Sequence, residues 1–465
     1  MGTIGGWLAA LSGSALLLTG WSCAPASAKD SIYWANSGNI QVGDLNGGGS
    51  IFTLYSGENF PIGVVVDPAT GKVYWANTNG TIRIGDLRGS KPAQTLFSGE
   101  ATPQGIAIDP SAGKLYWTDL SSGTIRVGNL NGSGVARTLF AGESQPEGLA
   151  IDPAGKRVYW ADNGSGLIRA GDLDGTGTAQ TLFSGEEFAF AVAISRGARK
   201  LYWTRTSEGS SEGGIRVGPL NGSGPATDLF TGEGYTTGLA LDPTAGKAYW
   251  LDNGHGWTRV GNLNGGGTPR TLFSQGPFFL ALLRAPASVS RPGVSGGRRA
   301  GSVLSCSTGV WAADLVGSFL YRAPAGFAYR WTRNGTMIMG ANTSSLRATA
   351  AGDYTCAVTA TNNAGSASAS SRTHPVVPIA RISGVHLSRA KRSARFTFTA
   401  GAGISGFQCA LIMKRAHHQA PKVSFSRCTS PKRYSHLKPG RYVFEVRGLS
   451  AAGPGPAATR SFALR

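Results

Sequence analysis

Short apolar segments separated by glycine-rich turns fill the first three-fifths of the chain. Four kinds recur in fixed order, of the types Ile-Ala-Ile, Leu-Tyr-Trp, Thr-Ile-Arg-Val and Thr-Leu-Phe. Their side chains alternate with a period of two and the segments are only a few residues long, which predicts strands rather than helices. One set of four occupies about 42 residues, the size of one β-propeller blade.

A Tyr-Trp dipeptide marks every repeat. It begins at six positions spaced 41 to 47 residues apart: Tyr33, Tyr74, Tyr116, Tyr159, Tyr202 and Tyr249. Each repeat also has a Gly-x-Leu-x-Gly segment, read as a turn, which begins at Gly43, Gly85, Gly128, Gly171, Gly218 and Gly261. The first repeat starts at its second strand, so Leu280-Ala281-Leu282 is predicted to supply the missing first strand and close a ring. The predicted fold class is all-β: a six-bladed β-propeller at 31–284 followed by two β-sandwich domains.

The repeated residues resemble a known propeller family. Tyr116-Trp117-Thr118-Asp119 is similar to the signature of the YWTD propeller found in relatives of the low-density lipoprotein receptor. The other five copies vary in the last two positions. The resemblance implies a module that binds proteins, and because members of that family bind many unrelated proteins it does not specify a ligand.

Most repeated side chains have a structural interpretation. A Trp in every blade is expected to pack between sheets, and the Asp of each Asp-Pro pair is expected to accept backbone N–H groups in a turn. Glutamates recur at Glu58, Glu100, Glu143, Glu186 and Glu233, and an Arg recurs on the third strand. Ion pairs between these groups are the favoured interpretation, and a cation site is the alternative.

Residues that the repeat does not require are the candidates for function. In propellers of this type the links from the fourth to the first strand and from the second to the third strand emerge on one face. Aromatic and charged residues there form a hypothetical ligand-binding set: Phe60, Phe188, Phe190, Arg205, Tyr235, Asp252, Trp257, Phe278 and Phe279. Such a surface suits a protein or peptide ligand.

Catalysis is not predicted, and no catalytic or metal-ligating residue is assigned. Residues 31–284 contain a single histidine, His255, whereas lactonase-like and lyase-like propellers place a metal or a histidine near the channel. We expect no cofactor; calcium held by carboxylates alone is the alternative. A metal-dependent lyase or lactonase is therefore the runner-up, and a passive cell-surface structural component is the third hypothesis.

The chain is expected to be exported. Residues 1–28 combine an apolar run with Ala26-Ser27-Ala28, which indicates a signal peptide. No later segment is long enough to span a membrane. Four cysteines remain after cleavage, Cys306, Cys356, Cys409 and Cys428, and an even number in an exported chain indicates two disulfides. Three pairings are open at this point. The predicted location is secreted or on the cell surface.

Two further modules follow a linker at 285–299. Residues 300–378 resemble an immunoglobulin-like domain through Cys306, Trp331 and the segment Asp353-Tyr354-Thr355-Cys356, with an inserted loop around residues 313–326. Residues 379–465 resemble a small fibronectin type III-like module. These resemblances imply the disulfides Cys306–Cys356 and Cys409–Cys428.

Charge separates the two parts of the chain. The net charge is +19, and residues 285–465 hold 24 basic and 3 acidic side chains, whereas residues 31–284 are nearly balanced. This predicts association of the tail with an anionic envelope polymer; nucleic acid is not favoured, because aromatic residues are not interleaved with the cations. The hypothetical polyanion-binding residues are Arg389, Lys391, Arg392, Lys414, Arg415, Lys432 and Arg433.

Overall fold

The fold was analysed in a computed structural model. It describes residues 30–206, 213–275, 278–414 and 423–464. The signal peptide predicted at 1–28 and the candidate residue Arg415 lie outside these ranges.

Six antiparallel four-stranded sheets make up the described part of residues 31–283. In chain order the strands are β1 (Ser31–Asn36), β2 (Asn39–Asp44), β3 (Phe52–Ser56), β4 (Pro61–Asp67), β5 (Lys72–Asn77), β6 (Thr81–Asp86), β7 (Gln94–Ser98), β8 (Pro103–Asp109), β9 (Lys114–Asp119), β10 (Thr124–Asn129), β11 (Arg137–Ala141), β12 (Pro146–Asp152), β13 (Arg157–Asp162), β14 (Leu167–Asp172), β15 (Gln180–Ser184), β16 (Ala189–Ser195), β17 (Lys200–Thr206), β18 (Gly213–Pro219), β19 (Thr227–Glu233), β20 (Thr236–Asp242), β21 (Lys247–Asp252), β22 (Trp257–Asn262), β23 (Arg270–Phe273) and β24 (Leu280–Leu283). A short 3-10 helix, Asn163–Ser165, connects β13 to β14.

The sheets form a closed ring. The first strand of each sheet contacts the first strand of the next: β4, β8, β12, β16, β20 and then β24, which contacts β4 in turn. β24 completes the first sheet by pairing with β1, with Leu280 opposite Trp34 and Leu283 opposite Ser31. Arg284 supports this seam through ion pairs with Asp30 (2.9 Å) and Asp242 (2.5 Å). The predicted closure by residues 280–282 is therefore confirmed.

Aromatic stacking joins neighbouring sheets. All six Tyr-Trp tryptophans are fully buried, and each packs on an aromatic ring from the fourth strand of the preceding sheet, such as Phe140 on Trp160 at 5.2 Å between centroids. The predicted packing role of the tryptophans is confirmed. One detail of the prediction is wrong: Gly171 and its counterparts lie within a strand, where a Cβ would meet the Phe140 ring at 2.2 Å, and do not begin a turn.

The Asp-Pro segments form turns, as predicted. Asp109 accepts the backbone N–H groups of Ser111 and Ala112 at 3.0 and 3.1 Å, and Asp67, Asp152 and Asp242 accept backbone N–H groups in the same way. These turns all connect a first strand to a second strand, so they lie together at one end of the channel, which we call the turn end.

A β-sandwich follows the propeller. Its strands are β25 (Ser288–Ser290), β26 (Val294–Gly296), β27 (Val303–Cys306), β28 (Val310–Trp311), β29 (Leu320–Tyr321), β30 (Gly326–Arg333), β31 (Thr336–Met337), β32 (Ser345–Arg347), β33 (Gly352–Asn362), β34 (Gly365–Ser370) and β35 (His374–Val376), with a 3-10 helix at Val316–Ser318. Residues 285–299 were predicted to be a linker, but β25 and β26 lie there and pair with β28 and β27. The Cys306–Cys356 disulfide joins β27 to β33, and Trp331 is fully buried.

Residues 313–323 of this sandwich, which we call the cap segment, close the turn end of the channel. Its 3-10 helix contacts the first strands of four sheets, β8, β12, β16 and β20. β29 adds to the propeller's own first sheet by parallel pairing with β24. The Ser318 hydroxyl donates to the Ile194 carbonyl at 2.6 Å, and Leu320 and Tyr321 are fully buried in the propeller core. The insertion predicted from the sequence is therefore part of the propeller's packing.

A second sandwich ends the described chain. Its strands are β36 (Ala380–Ser388), β37 (Ser393–Ala400), β38 (Gly406–Lys414), β39 (Ser426–Cys428), β40 (Lys432–Tyr434), β41 (Gly440–Ser450), β42 (Gly453–Pro454) and β43 (Ala458–Leu464). Its core includes Phe396 and Phe444, stacked at 3.9 Å between centroids. The Cys409–Cys428 disulfide joins β38 to β39, so both disulfides have the connectivity that the sequence resemblances imply.

Candidate functional site

The end of the channel opposite the cap segment carries the candidate ligand-binding residues; we call it the mouth. The links from fourth to first strands meet there. Phe60, Phe188 and Tyr235 are exposed to solvent over 49%, 39% and 38% of their surface. These three rings are the exposed aromatic part of the mouth.

The aromatic rings at the mouth form two contacting groups. Phe60 lies 5.5 Å from Phe278 between centroids. The neighbouring Phe279 lies 5.4 Å from Phe190, and Phe190 meets Tyr235 edge-on at 6.1 Å. Phe190 and Phe279 are buried, at 5% and 6% exposure. The predicted set therefore divides into a buried aromatic layer and the exposed rings above it.

The backbone at the mouth is held in an unusual conformation. Phe60, Gln145 and Phe188 occupy equivalent positions in three links, and their φ angles are +52°, +58° and +56°. Non-glycine residues seldom adopt this left-handed region, which costs about 1 kcal/mol or more and concentrates at functional sites. The fixed backbone sets the direction in which the Phe60 and Phe188 rings leave the ring of sheets.

Sequence reasoning missed one charged residue at the mouth, Glu147. It is the second residue of β12, and the equivalent positions of the other first strands hold Ile62, Gln104, Phe190, Thr237 and Phe278. Glu147 is 8% exposed, and its Oε2 atom is buried with no hydrogen-bond partner. Burial raises the pKa of Glu147 to about 8.

Contacts between non-adjacent sheets place Glu147 at the channel. Its charge raises the pKa of Tyr235, second in effect to the burial of that phenol, although Glu147 belongs to the fourth sheet and Tyr235 precedes the sixth. The Phe279 ring, from the first sheet, comes within 3.0 Å of a Cβ built on Gly148. Sheets that are not neighbours can meet only across the centre of the ring. Glu147 therefore lies on a strand that borders the channel, next in sequence to the glycine that the Phe279 ring covers.

Asp252 and its neighbours were predicted to face a ligand, and for Asp252 this is wrong. Asp252 is 1% exposed, and its carboxylate accepts the N–H groups of Gly234 and His255 and contacts His255 Nδ1 at 2.8 Å. Its role is to hold two links together. Trp257 stacks on His255 at 4.6 Å and lies against Arg259, so it belongs to a separate cluster beside the mouth.

Arg205 lies in the irregular fifth repeat. Its guanidinium is 3.8 Å from the Asp228 carboxylate, which also pairs with Arg216 at 3.4 Å. Arg205 therefore contributes to a charge cluster with Asp228 and Arg216.

The repeated glutamates are used within the fold. Each accepts the indole N–H of its repeat's tryptophan at 2.7 to 3.0 Å and pairs with the repeat's Arg at 3.0 to 3.4 Å. The favoured ion-pair interpretation is confirmed. In the first sheet both members change together, to Gln275 and Gln41, and Gln41 itself accepts the Trp34 indole N–H at 3.0 Å.

The candidate polyanion-binding residues divide between the two faces of the second sandwich. Arg389, Lys391 and Arg392 form the turn from β36 to β37, and Lys432 and Arg433 lie on β40 of the same sheet. Lys414 ends β38 in the opposite sheet, where it faces Arg441.

A basic stripe on this sandwich was not predicted. Across β36, β37 and β40, the register places His386 opposite Arg395 and Arg395 opposite Arg433, and all three are exposed. Like charges directly opposite one another destabilise a sheet. In the described part of this domain no basic side chain pairs with a carboxylate.

Within the described residues, no group of three or more His, Cys, Asp or Glu side chains is arranged to hold a metal ion. The same residues contain no helix long and apolar enough to cross a membrane.

Comparisons with known proteins identify the repeat. Residues 113–153 match the low-density lipoprotein receptor repeat class B. Among solved structures, the chain is similar to one in the crystal structure of a nidogen/laminin complex, with 19% identity, 54% of this chain and 98% of that chain covered, and a TM-score of 0.48. It is also similar to a putative TolB from Agrobacterium tumefaciens, with 14% identity, 53% and 88% coverage, and a TM-score of 0.41. A third similar chain is from the hydrazine synthase of Kuenenia stuttgartiensis, with 15% identity, 54% and 74% coverage, and a TM-score of 0.38.

No curated protein matches the chain significantly. The class B match coincides with the third Tyr-Trp repeat, whose four-residue signature is complete at residues 116–119. The same geometry recurs in every sheet of the ring. Residues 113–153 of this chain therefore match a class B repeat, and the ring of six sheets at residues 31–284 is a β-propeller.

Proposed function

We propose that this protein is an exported, non-enzymatic binding protein whose propeller mouth docks a protein or peptide ligand. The observation that carries the proposal is the set of three exposed aromatic rings, Phe60, Phe188 and Tyr235, at the end of the channel that the cap segment leaves free. Aromatic rings fixed by the backbone provide contact area at low entropic cost, which is typical of binding hot spots. Two disulfides and a class B repeat support an extracellular location.

Several observations favour binding over catalysis. The five repeated glutamates, which were the candidate carboxylates for a calcium site, are occupied by Trp and Arg partners. Calorimetry of calcium binding to the mature chain tests the lyase or lactonase alternative: we expect no binding heat, and a site with micromolar affinity would revive that alternative.

We further propose that the sandwiches are an immunoglobulin-like module and a fibronectin type III-like module. In the first, Tyr354 donates its hydroxyl hydrogen to the Ala350 carbonyl at 2.7 Å, two residues before the second disulfide cysteine. This arrangement is typical of the tyrosine corner in immunoglobulin-like sandwiches.

The second sandwich is proposed to associate with an anionic envelope polymer or lipid surface. The stripe of His386, Arg395 and Arg433 brings cations together that a polyanion would neutralise. The mature chain should bind vesicles containing about 30 mol% anionic lipid and release them at ~0.5 M salt. The variant R395E/R433E should lose this binding, whereas R88E/R372E, with the same change in net charge, should retain it; binding that resists salt would contradict the proposal.

Site-specific cross-linking tests the docking surface. A photoreactive phenylalanine analogue replaces Phe188 at the mouth or, as a control, Phe52, which is 65% exposed on an outer strand. We expect the probe at 188 to cross-link one discrete envelope or secreted partner and the probe at 52 to yield none. The variant F60A/F188A/Y235A should compete poorly for that partner while keeping the wild-type melting temperature. Equal cross-linking from both positions would refute the assignment of the mouth.

A further inference from the structure

The mouth contains a buried acid, Glu147, with a carboxylate oxygen that has no hydrogen-bond partner. Glu147 is only 8% exposed, and its Oε2 atom is buried without a hydrogen-bond partner. Buried charges in proteins are ordinarily paired and hydrogen-bonded, because an isolated carboxylate costs several kcal/mol. The five repeated glutamates show the usual solution in the same chain, with an Arg and a Trp for each.

The surroundings of Glu147 suit a cation. The rings of Phe190, Phe279 and Tyr235 pack on one another, and the Phe279 ring lies against Gly148, the residue that follows Glu147. The faces of aromatic rings attract cations, most strongly when the cation is desolvated. The titratable group that faces Glu147 is Tyr235, and the equivalent positions on the other first strands carry the uncharged Ile62, Gln104, Phe190, Thr237 and Phe278.

We infer that the mouth binds the ammonium group of a lysine side chain presented by the ligand, with Glu147 as its counter-ion and Phe190, Phe279 and Tyr235 as its walls. This inference rests on the proposed function of the mouth as a docking surface. A lysine suits the site because its aliphatic stem packs along aromatic rings while its compact charge reaches a single buried oxygen. A guanidinium, which prefers a two-oxygen fork, fits one free oxygen less well.

Binding should be linked to a proton. Because burial raises the pKa of Glu147 to about 8, the free protein holds this carboxyl protonated at pH 7, and an arriving ammonium favours the ionised form. Binding at pH 7 should therefore release about one proton, and affinity should rise roughly tenfold per pH unit up to pH 8.

Calorimetry on the mature chain tests this inference with two small probes. We expect N-acetyl-lysine methylamide to bind at least tenfold tighter than its uncharged norleucine counterpart. At pH 7, titration in two buffers of different ionisation enthalpy should report the release of about one proton. The variant E147Q should weaken lysine binding at least tenfold and abolish proton release, whereas E187Q, which removes an exposed charge from the same face, should change neither.

The outcomes separate this inference from the proposed function. Equal binding of the two probes, or lysine binding unaffected by E147Q, would overturn the inference. Cross-linking from position 188 that persists in E147Q at the wild-type yield would do the same and leave the docking surface intact. Loss of cross-linking in E147Q, together with wild-type melting, supports the inference.

Discussion

The ion pair between Glu143 and Arg169 yields a prediction for which the chain supplies its own control. The Glu143 side chain is 2% exposed and accepts from Arg169 at 3.0 Å and from the Trp160 indole at 2.7 Å. In the first sheet the equivalent residues are Gln275 and Gln41, so one repeat folds with neither charge.

The double replacement should lower the free energy of unfolding by less than the two single replacements do in sum. R169Q leaves a buried carboxylate without its cation, which should lower the free energy of unfolding by about 3 kcal/mol. E143Q leaves a guanidinium that is 21% exposed, and about 2 kcal/mol is expected because part of its charge stays hydrated. E143Q/R169Q recreates the glutamine pair and should lose no more than about 2 kcal/mol, so the coupling energy should be at least about 3 kcal/mol.

The pH dependence of R169Q provides a second measurement. Burial raises the pKa of Glu143, while the Trp160 and Arg169 contacts lower it. Without Arg169 the raised folded-state pKa favours the protonated form, so stability should be greatest below the unfolded pKa and fall as pH rises. Urea unfolding followed by tryptophan fluorescence should show a smaller deficit at pH 5 than at pH 8. Additive single effects, or a deficit that grows toward acid, would refute this account of the pair.

Two further predictions concern the first sandwich. L320A should lower the free energy of unfolding by about 2–5 kcal/mol, since Leu320 is fully buried in the propeller core. The control V303A, at a site that is 51% exposed, should change it by less than about 0.5 kcal/mol. Equal effects of the two variants in urea titrations would contradict the packing of the cap segment. C306A/C356A opens a crosslink between residues 50 apart and should cost about 4 kcal/mol, measured as a lower urea midpoint; an unchanged midpoint would exclude a stabilising bridge.

Much of the propeller could be predicted because its signals are local and repeated. The period of two, the Tyr-Trp spacing and the incomplete first repeat were sufficient to place β24 beside β1. The seven-residue first strands are buried throughout, which fits a strand at the centre of a ring. Gly171 was misread because a glycine that leaves room for Phe140 and a glycine that forms a turn look the same in sequence.

The site was harder to predict because its contacts run between distant segments. Glu147 was not singled out from the sequence, although the six residues at its position differ more than their neighbours do. That variability was the available signal for a channel-facing position. Phe190 and Phe279 were expected at the rim and are buried, because Phe279 occupies a position that is glycine or alanine in the other repeats and extends across the channel.

The place where the cap segment packs could also not be predicted from the sequence. The long interval between Cys306 and Trp331 required an insertion, but nothing local links residues 313–323 to first strands as far back in the chain as β8. The register of β29 beside β24 depends on the three-dimensional position of both domains.

The cap segment, anchored by Leu320 and Tyr321, makes the two ends of the channel different. The cap segment covers the turn end, so a ligand would reach the channel through the mouth. Ligand binding at the mouth and attachment through the second sandwich would therefore use separate surfaces and could occur at the same time. If the second sandwich attaches to the envelope as proposed, the mouth is the end of the channel that stays open to a ligand.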